Sequence, residues 1–440
     1  MLAKHRIAAL IDEREGGFRV DRAVYSDPEL FQAEMELFFE RGWLFLAHES
    51  QLKNPGDYFS MRMGRHPVFL VRKKDASIGG YVNACAHRGA TLVPCESGKA
   101  NVFTCRFHGW VYNHDGRCIT IKNEDTGAYP EGDCKAQASL TPLARIESYR
   151  GFVFGSLGPE VPPLRDWLAG TTTWIDLLAD QSPQGLEVVR GASTYTMHGN
   201  WKLQAENGVD GYHVSTVHRV FATTVANREA KSKVEGLRET ESGRMTGDVA
   251  SACYDFGNGH LGIWAQRTKP QAHPLWRQKE RLDREFSKER VDWMLNRGRN
   301  LYLFPNAFVM DNPSSQIRTL NPISPDVCEV TVRCIAPVGE ATDARAARLR
   351  KFEDFYLTTG MATSDDLAAL EAAHAGSRGG GTRWNDFARG MRAMRRGAED
   401  TDGAAIGLVP QTMTPNWDHE TLYHGFYRFW KQRLLESGIV

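Results

Sequence analysis

Glu206-Asn207-Gly208-Val209-Asp210-Gly211-Tyr212-His213-Val214-Ser215-Thr216-Val217-His218 is the stretch on which the reading of the chain turns. It holds two histidines five residues apart, with Asp210 three residues before the first. An ideal helix turns about 100° per residue, so the two rings would point about 140° apart. That spacing differs from the i, i+4 pair of a zinc-protease helix. To aim both imidazoles at one ion, the helix must bulge in a π-type turn. Neutral imidazole suits Fe, Zn, Cu or Ni, and two His with one distant carboxylate form the facial set of non-haem Fe(II) centres. The competing reading is a helix with one core and one surface histidine.

A second pattern lies upstream. Cys85-Ala86-His87 is followed, after seventeen intervening residues, by Cys105-Arg106-Phe107-His108. Each half is a Cys/His pair expected at the tip of a β-hairpin loop. Two Cys on one iron and two His on the other is the ligation of a Rieske [2Fe–2S] cluster. The alternative is a structural Cys₂His₂ zinc site. Zinc fingers of that type pair Cys with Cys and His with His, whereas each half here has one of each. This alternation, with the flanking glycines, favours Rieske ligation. Cys95, Cys118, Cys134, Cys253, Cys328 and Cys334 have no partner spacing and read as buried thiols.

The 440 residues are 41% hydrophobic and 25% charged, with formal net charge zero. This is an ordinary globular composition. It leaves no basic field for nucleic acid or an anionic membrane. Met1-Leu2-Ala3-Lys4-His5-Arg6 has no apolar h-region, no run reaches the length of a membrane span, and eight cysteines are too sparse for a disulfide scaffold. A cytoplasmic protein is expected. Asp27-Pro28 should start a helix that Gly42 ends. Strands are expected at 57–61, 68–71 and 80–83, then at 186–189, 193–197, 301–304, 308–310 and 329–332. Thr171 to Leu178 and residues 341–372 read as helical. The polar stretch 226–248 reads as a solvated helix or mobile loop, with a lid as the sharper option. Tyr423, Phe426, Tyr427, Trp430 and Leu434 form a helical stripe that reads as core.

These motifs resemble the large (α) subunit of the Rieske non-haem iron ring-hydroxylating oxygenases. The likeness is carried by Cys85-Ala86-His87-Arg88-Gly89, Cys105-Arg106-Phe107-His108-Gly109-Trp110, residues 148–157, 180–188 and 199–202, the opening stretch, Ser315-Gln316-Ile317-Arg318, and residues 360–367. It is nearest the benzoate and anthranilate 1,2-dioxygenase branch. The resemblance implies cluster ligands Cys85, His87, Cys105 and His108, and iron ligands His213, His218 and Asp366, with Asp365 as runner-up. Read without it, the paired aspartates after Thr363-Ser364 would be a helix N-cap and first turn. The resemblance also makes Asp210 a bridge for electrons between His108 of one subunit and His213 of the next. Asn207, Trp264, Met310 and Arg318 are candidate pocket residues. Arg219, and Asp311-Asn312-Pro313-Ser314, depart from the more aromatic or apolar residues of that branch and bear on the substrate.

The expected fold is α+β. A helical segment (1–42) precedes a small all-β Rieske domain (43–158), and a catalytic domain (159–440) has an antiparallel sheet wrapped by helices. The expected activity is cis-dihydroxylation of an aromatic carboxylate with O₂, a [2Fe–2S] cluster and mononuclear Fe(II). With no Gly-rich dinucleotide fingerprint in the chain, NADH electrons would arrive through a separate flavin- or ferredoxin-type reductase. A small β subunit and an α₃β₃ or α₃ assembly are implied by the resemblance. The alternatives are a Rieske monooxygenase or demethylase, an electron-transfer protein, or a zinc-stapled binding protein.

Overall fold

The Asp27 carboxylate accepts the amide hydrogens of Glu29 and Leu30, and Pro28 takes the first helical position of α1 (Pro28–Glu34). This is the start signal read in the sequence. The chain then widens into π-helical turns over Met35–Glu40. A Cβ at Gly42 would lie 2.6 Å from the Phe38 carbonyl oxygen, so only glycine fits where the helix ends. The structure, a computed structural model, describes residues 3–126, 129, 134–231 and 249–439. It divides into two units, Phe38–Leu164, and Met1–Leu37 together with Arg165–Val440.

Among its described residues, the first unit is all-β apart from short helical turns, such as Cys134–Gln137. Its largest sheet orders Ile78–Val82, His66–Arg72, Asp57–Met63 and Ser97–Lys99. A three-stranded sheet follows (Cys118–Thr120, Val111–Tyr112, Phe103–Thr104), and another joins Arg145–Tyr149, Phe152–Ser156 and Leu44–His48. Phe69, Val71, Tyr81, Leu92, Phe103, Trp110 and Tyr112 form the core, and Cys85 and Cys105 are part of it.

In the second unit, a three-stranded sheet of Ile11–Arg14, Gly17–Asp21 and Trp384–Asp386 corrects the expectation that residues 1–42 are helical: part of that segment is a β-hairpin. The unit is otherwise built on one large antiparallel sheet. Its strands are β1 (Leu186–Val188), β2 (Ser193–Met197), β3 (Ser251–Gly257), β4 (His260–Gln266), β5 (Arg297–Leu303), β6 (Ala307–Asp311), β7 (Ser315–Ser324), β8 (Val327–Pro337), β9 (Arg395–Arg396) and β10 (Thr412–Thr414). The order is β1-β8-β7-β6-β5-β4-β3-β10-β9, with β2 also paired to β8. Register sets which side chains share a face, because strand residues alternate. Ile263, Asn300, Met310 and Gln316 form one cross-strand row, and Trp264, Arg299, Asp311 and Ser315 form the next. The two rows face opposite sides of the sheet.

The helices of this unit that position the site are α2 (Trp201–Asn207), α3 (Val214–Val217), α4 (Arg219–Lys231), α5 (Thr342–Tyr356), α6 (Thr363–Arg378) and α7 (Leu422–Glu436). The expected helical run 341–372 is broken between Tyr356 and Thr363. The polar stretch is helical up to Lys231, and residues 232–248 lie outside the described residues. The aromatic stripe of α7 is buried, as its periodicity indicated. Glu34 ties three segments together. It accepts from Lys202 Nζ at 2.6 Å and Trp430 Nε1 at 2.7 Å on one oxygen, and from Trp201 Nε1 at 2.9 Å on the other. Neither the Glu34 nor the Lys202 side chain reaches solvent.

Replacing one member of a buried pair leaves the other charge uncompensated. Glu34→Gln is therefore expected to cost about 3–5 kcal/mol of stability. A fall in the urea midpoint followed by tryptophan fluorescence checks it; an unchanged midpoint would show that the pair does not hold the unit together.

Candidate active site

The two Cys/His loops of the first unit are built alike. Cys85 N–H donates to Ala90 O and Gly89 N–H to Cys85 O; Cys105 N–H donates to Trp110 O and Gly109 N–H to Cys105 O. Gly89 and Gly109 sit at φ of 73° and 76°, left-handed conformations that glycine adopts without strain. Each loop thus buries its cysteine in the core and turns its histidine outward. The His87 and His108 ring centroids are 4.5 Å apart, and His87 stacks on Trp110 at 4.7 Å. Cys85 Sγ lies 3.1 Å from Tyr112 Oη, a hydroxyl placed to hydrogen-bond a thiolate sulfur. Two buried thiols beneath two neighbouring imidazoles fit the donor set of a Rieske cluster.

In the second unit, the structure corrects the expectation of one π-bulged helix across 206–218. The helix α2 stops at Asn207, and His213 and His218 sit at the two ends of the one-turn helix α3. Packing explains the break. A Cβ at Gly208 would lie 2.3 Å from the Phe308 ring, and one at Gly211 would lie 2.4 Å from the Trp417 carbonyl oxygen. The Tyr423 hydroxyl donates to the carbonyls of Glu206 and Val209, and Asp210 Oδ1 accepts from Tyr212 N–H at 2.6 Å. These bonds hold backbone groups that a continuous helix would have paired.

The break lets both imidazoles face one point. His213 Nε2 and His218 Nε2 are 3.2 Å apart, and Asp366 Oδ1 lies 3.4 and 3.3 Å from them. Asp366 comes from the first turn of α6; Asp365 stays outside the group, and Ala362, not either aspartate, occupies the N-cap. Edges of this length match metal–ligand bonds of about 2.1 Å meeting at about 100°. Three lone-pair donors this close repel one another unless a cation lies between them. Asp210 Oδ2 is 3.1 Å from His213 Nδ1. Burial lowers the His218 pKa. Burial acts the same way on His213, but the Asp210 carboxylate reverses it and holds that imidazole above its ordinary value. A carboxylate beside Nδ1 favours the tautomer with its proton there, which leaves Nε2 free to bind a metal.

A cavity opens beside this group. Ile263, Asn300, Met310 and Arg318 line it from one face of the sheet, and Phe221, Phe355 and Trp417 line it from other elements. Met310 and Arg318, read from the sequence as pocket candidates, are among its lining residues. Trp264 is a correction: it belongs to the opposite row, where its Nε1 donates to Tyr254 Oη and Arg297 packs on its ring. Asn207 reaches the cavity, but its amide is engaged on both sides. It donates to Asp366 Oδ1 at 3.3 Å and accepts from Gln204 Nε2 at 3.2 Å, while Gln204 Oε1 accepts from Tyr195 Oη at 3.4 Å. Gln204 and Tyr195 were missed in the sequence; the signal was Gln204 lying one turn before Asn207. Asn312 and Pro313 also line the cavity, whereas Asp311 points behind it to Arg299, Gln181 and Ser315.

Twin Cys/His loops and a two-histidine, one-carboxylate group define a class: a protein holding a Rieske cluster and a mononuclear metal centre. Residues 186–436 match the family described as ring hydroxylating alpha subunit (catalytic domain), and residues 42–144 match the Rieske [2Fe-2S] domain. The chain belongs to the ring-hydroxylating α subunits, oxidoreductases with a [2Fe–2S] Rieske domain and a mononuclear-iron catalytic domain. It is 43% identical to the toluate 1,2-dioxygenase subunit alpha of Pseudomonas putida, over 97% of this chain and 93% of that one. It is 38% identical to the 2-halobenzoate 1,2-dioxygenase large subunit of Burkholderia cepacia, over 97% and 91%. A structure of naphthalene 1,2-dioxygenase with indole in its active site superposes with a TM-score of 0.81 at 27% identity, covering 97% and 94% of the two chains. No helix among the described residues is long and apolar enough to cross a membrane.

Gly211→Ala forces the Trp417 carbonyl or the 208–213 loop to move. It is expected to cost about 1–3 kcal/mol and to lower mononuclear iron occupancy while the visible spectrum of the cluster stays intact. Iron analysis against cluster absorbance checks this; full iron occupancy would show that the loop position does not matter for the histidines.

Proposed function

We propose that the chain is the terminal oxygenase α subunit of an enzyme that adds both atoms of O₂ to adjacent carbons of an aromatic carboxylate. The balanced reaction takes the ring acid, O₂, two electrons and two protons to a cis-diol acid. What carries the reading is the open group His213–His218–Asp366 beside an apolar cavity whose sheet face holds one arginine. The relatives named for toluate and 2-halobenzoate supply the substrate class. When bound, the [2Fe–2S] cluster supplies electrons one at a time and the mononuclear iron activates O₂.

In this proposal Cys85, His87, Cys105 and His108 hold the cluster, and His213, His218 and Asp366 hold the iron. Residues 43–158 form the electron-storing domain; 159–440, with the N-terminal segment 1–42, form the oxygenating one. Asn207 steadies Asp366, and Met310 and Arg318 face the ring acid. Asp210 has one oxygen on Tyr212 N–H and the other on His213 Nδ1, and its side chain is 27% exposed. That leaves it accessible to the His108 imidazole of a second copy in an α₃ or α₃β₃ assembly, through which it would couple the two metal sites. Electrons would come from NADH through a separate reductase.

A single turnover tests the reading. The protein is reduced without air, then mixed with ¹⁸O₂ and benzoate, a toluate or 2-chlorobenzoate. Reoxidation of the cluster with two labelled oxygens in one ring acid is expected. Asp366→Ala should keep the cluster spectrum, lose the mononuclear iron and form no diol. One labelled oxygen in the product, or turnover by Asp366→Ala, overturns the proposal.

A further inference from the structure

The second unit buries several arginines, and their partners differ in one respect. Arg299 has Asp311 at 2.7 Å, Arg348 has Glu340 at 2.7 Å, and Arg297 has Asp292 at 3.0 Å. Arg267 donates to the carbonyls of Asp311 and Asn312. Arg318 on β7 is 5% exposed and lines the cavity. Its Nε has no hydrogen-bond partner, and among the described residues no carboxylate pairs with it. The Phe308 ring, 5.9 Å from its Cζ, is a weak substitute. A buried charge without a partner is costly, and buried charges in folded proteins are paired. The register puts Arg318 two residues along β7 from Gln316, on the face that carries Asn300 and Met310. The other lysine or arginine of the cavity wall, Lys351, donates its ammonium to the Ala272 carbonyl.

We propose that Arg318 is the anchor for the substrate's carboxylate, and that the missing half of its ion pair is the substrate itself. This rests on the aromatic-acid reading above and adds its recognition chemistry. A guanidinium binds a carboxylate through two parallel N–H donors, which fixes the plane of the acid as well as its position. Held there, the acid presents its carboxyl-bearing carbon and the adjacent carbon to the His213–His218–Asp366 group, with the far edge of the ring towards apolar walls such as Phe221 and Phe355. Oxygen would then add at positions 1 and 2, and a neutral ring of the same shape would bind poorly.

The test uses the assembled, iron-loaded enzyme, with cluster absorbance and iron content as checks on folding. Benzoate and its neutral isostere benzamide are titrated calorimetrically into wild type, Arg318→Lys, Arg318→Gln, Arg318→Leu and Lys351→Met. Wild type should bind benzoate and scarcely bind benzamide. Arg318→Gln and Arg318→Leu should weaken benzoate on the order of 100-fold and leave benzamide within a few-fold, so that the preference for the anion collapses. Arg318→Lys should retain part of it, and kcat/KM should fall mainly through KM. Benzoate affinity unchanged in Arg318→Gln, or lost in Lys351→Met instead, overturns the assignment. Should wild type bind and turn over no aromatic acid at all, the dioxygenase reading fails before Arg318 is tested.

Discussion

A carboxylate with no access to water, Glu34, sets the position of much that follows. Its three donors come from Trp201 and Lys202 at the start of α2 and from Trp430 in α7. A lone buried carboxylate would be intolerable; satisfied by an ammonium and two indoles, it becomes a fixed point that accepts only one arrangement of these segments. The far end of α2 is pinned as well: Glu206 accepts from Tyr25 Oη at 2.8 Å and from Tyr427 Oη. Burial raises the Glu206 pKa to about 7, against the pull of those hydroxyls and of Lys202. A seven-residue helix held at both ends has little freedom left, and its last residue is Asn207.

The His213–His218–Asp366 group inherits that rigidity. Asn207 donates to Asp366, and the chain beyond Gly208 must turn at once because Phe308 leaves no room for a side chain there. A short loop delivers His213, one turn of helix delivers His218, and Asp210 Oδ2 lies 3.1 Å from the first imidazole's Nδ1. The hydrogen bonds from Tyr195 through Gln204 and Asn207 all run donor to acceptor towards Asp366. Cooperative chains of this kind are stiffer than their separate bonds. They set the orientation of the Asp366 carboxylate in advance.

How much of this the sequence disclosed depended on the range of the interactions involved. The twin loops were legible because every residue they need is local: cysteine, histidine two or three residues on, and glycine where φ is positive. The union of His213, His218 and Asp366 came from resemblance, since nothing in the spacing joins residues some 150 positions apart. The π-bulge was a sound inference from five-residue spacing, yet the helix ends instead, because Phe308 and Trp417 crowd Gly208 and Gly211 from remote segments. Trp264 looked like a pocket wall because a strand of apolar residues gives no clue to its phase. Only pairing with β5 shows that Ile263 faces Asn300 while Trp264 faces Arg299.

That one-residue step between rows also separates two kinds of chemistry. Behind the sheet, Asp311 gathers Arg299, Gln181 and Ser315, with His273 Nε2 at 3.3 Å. Burial would raise its pKa, but His273, Arg299 and Arg267 hold it well below the ordinary carboxylate value. Ser315 and Glu340 extend the network to Arg348. On the cavity side, the neighbouring residues Met310, Asn312 and Pro313 touch the space where a ring would lie. The strand end that shapes the pocket is thus clamped from behind by charges a ligand cannot reach. Substitutions at Met310 or Asn312 alter the wall while the clamp persists. A substitution at Asp311 would release the wall itself, although that side chain never faces the cavity. The polar run Asp311-Asn312-Pro313-Ser314, which looked out of place in an apolar site, is polar mainly because of what lies behind it.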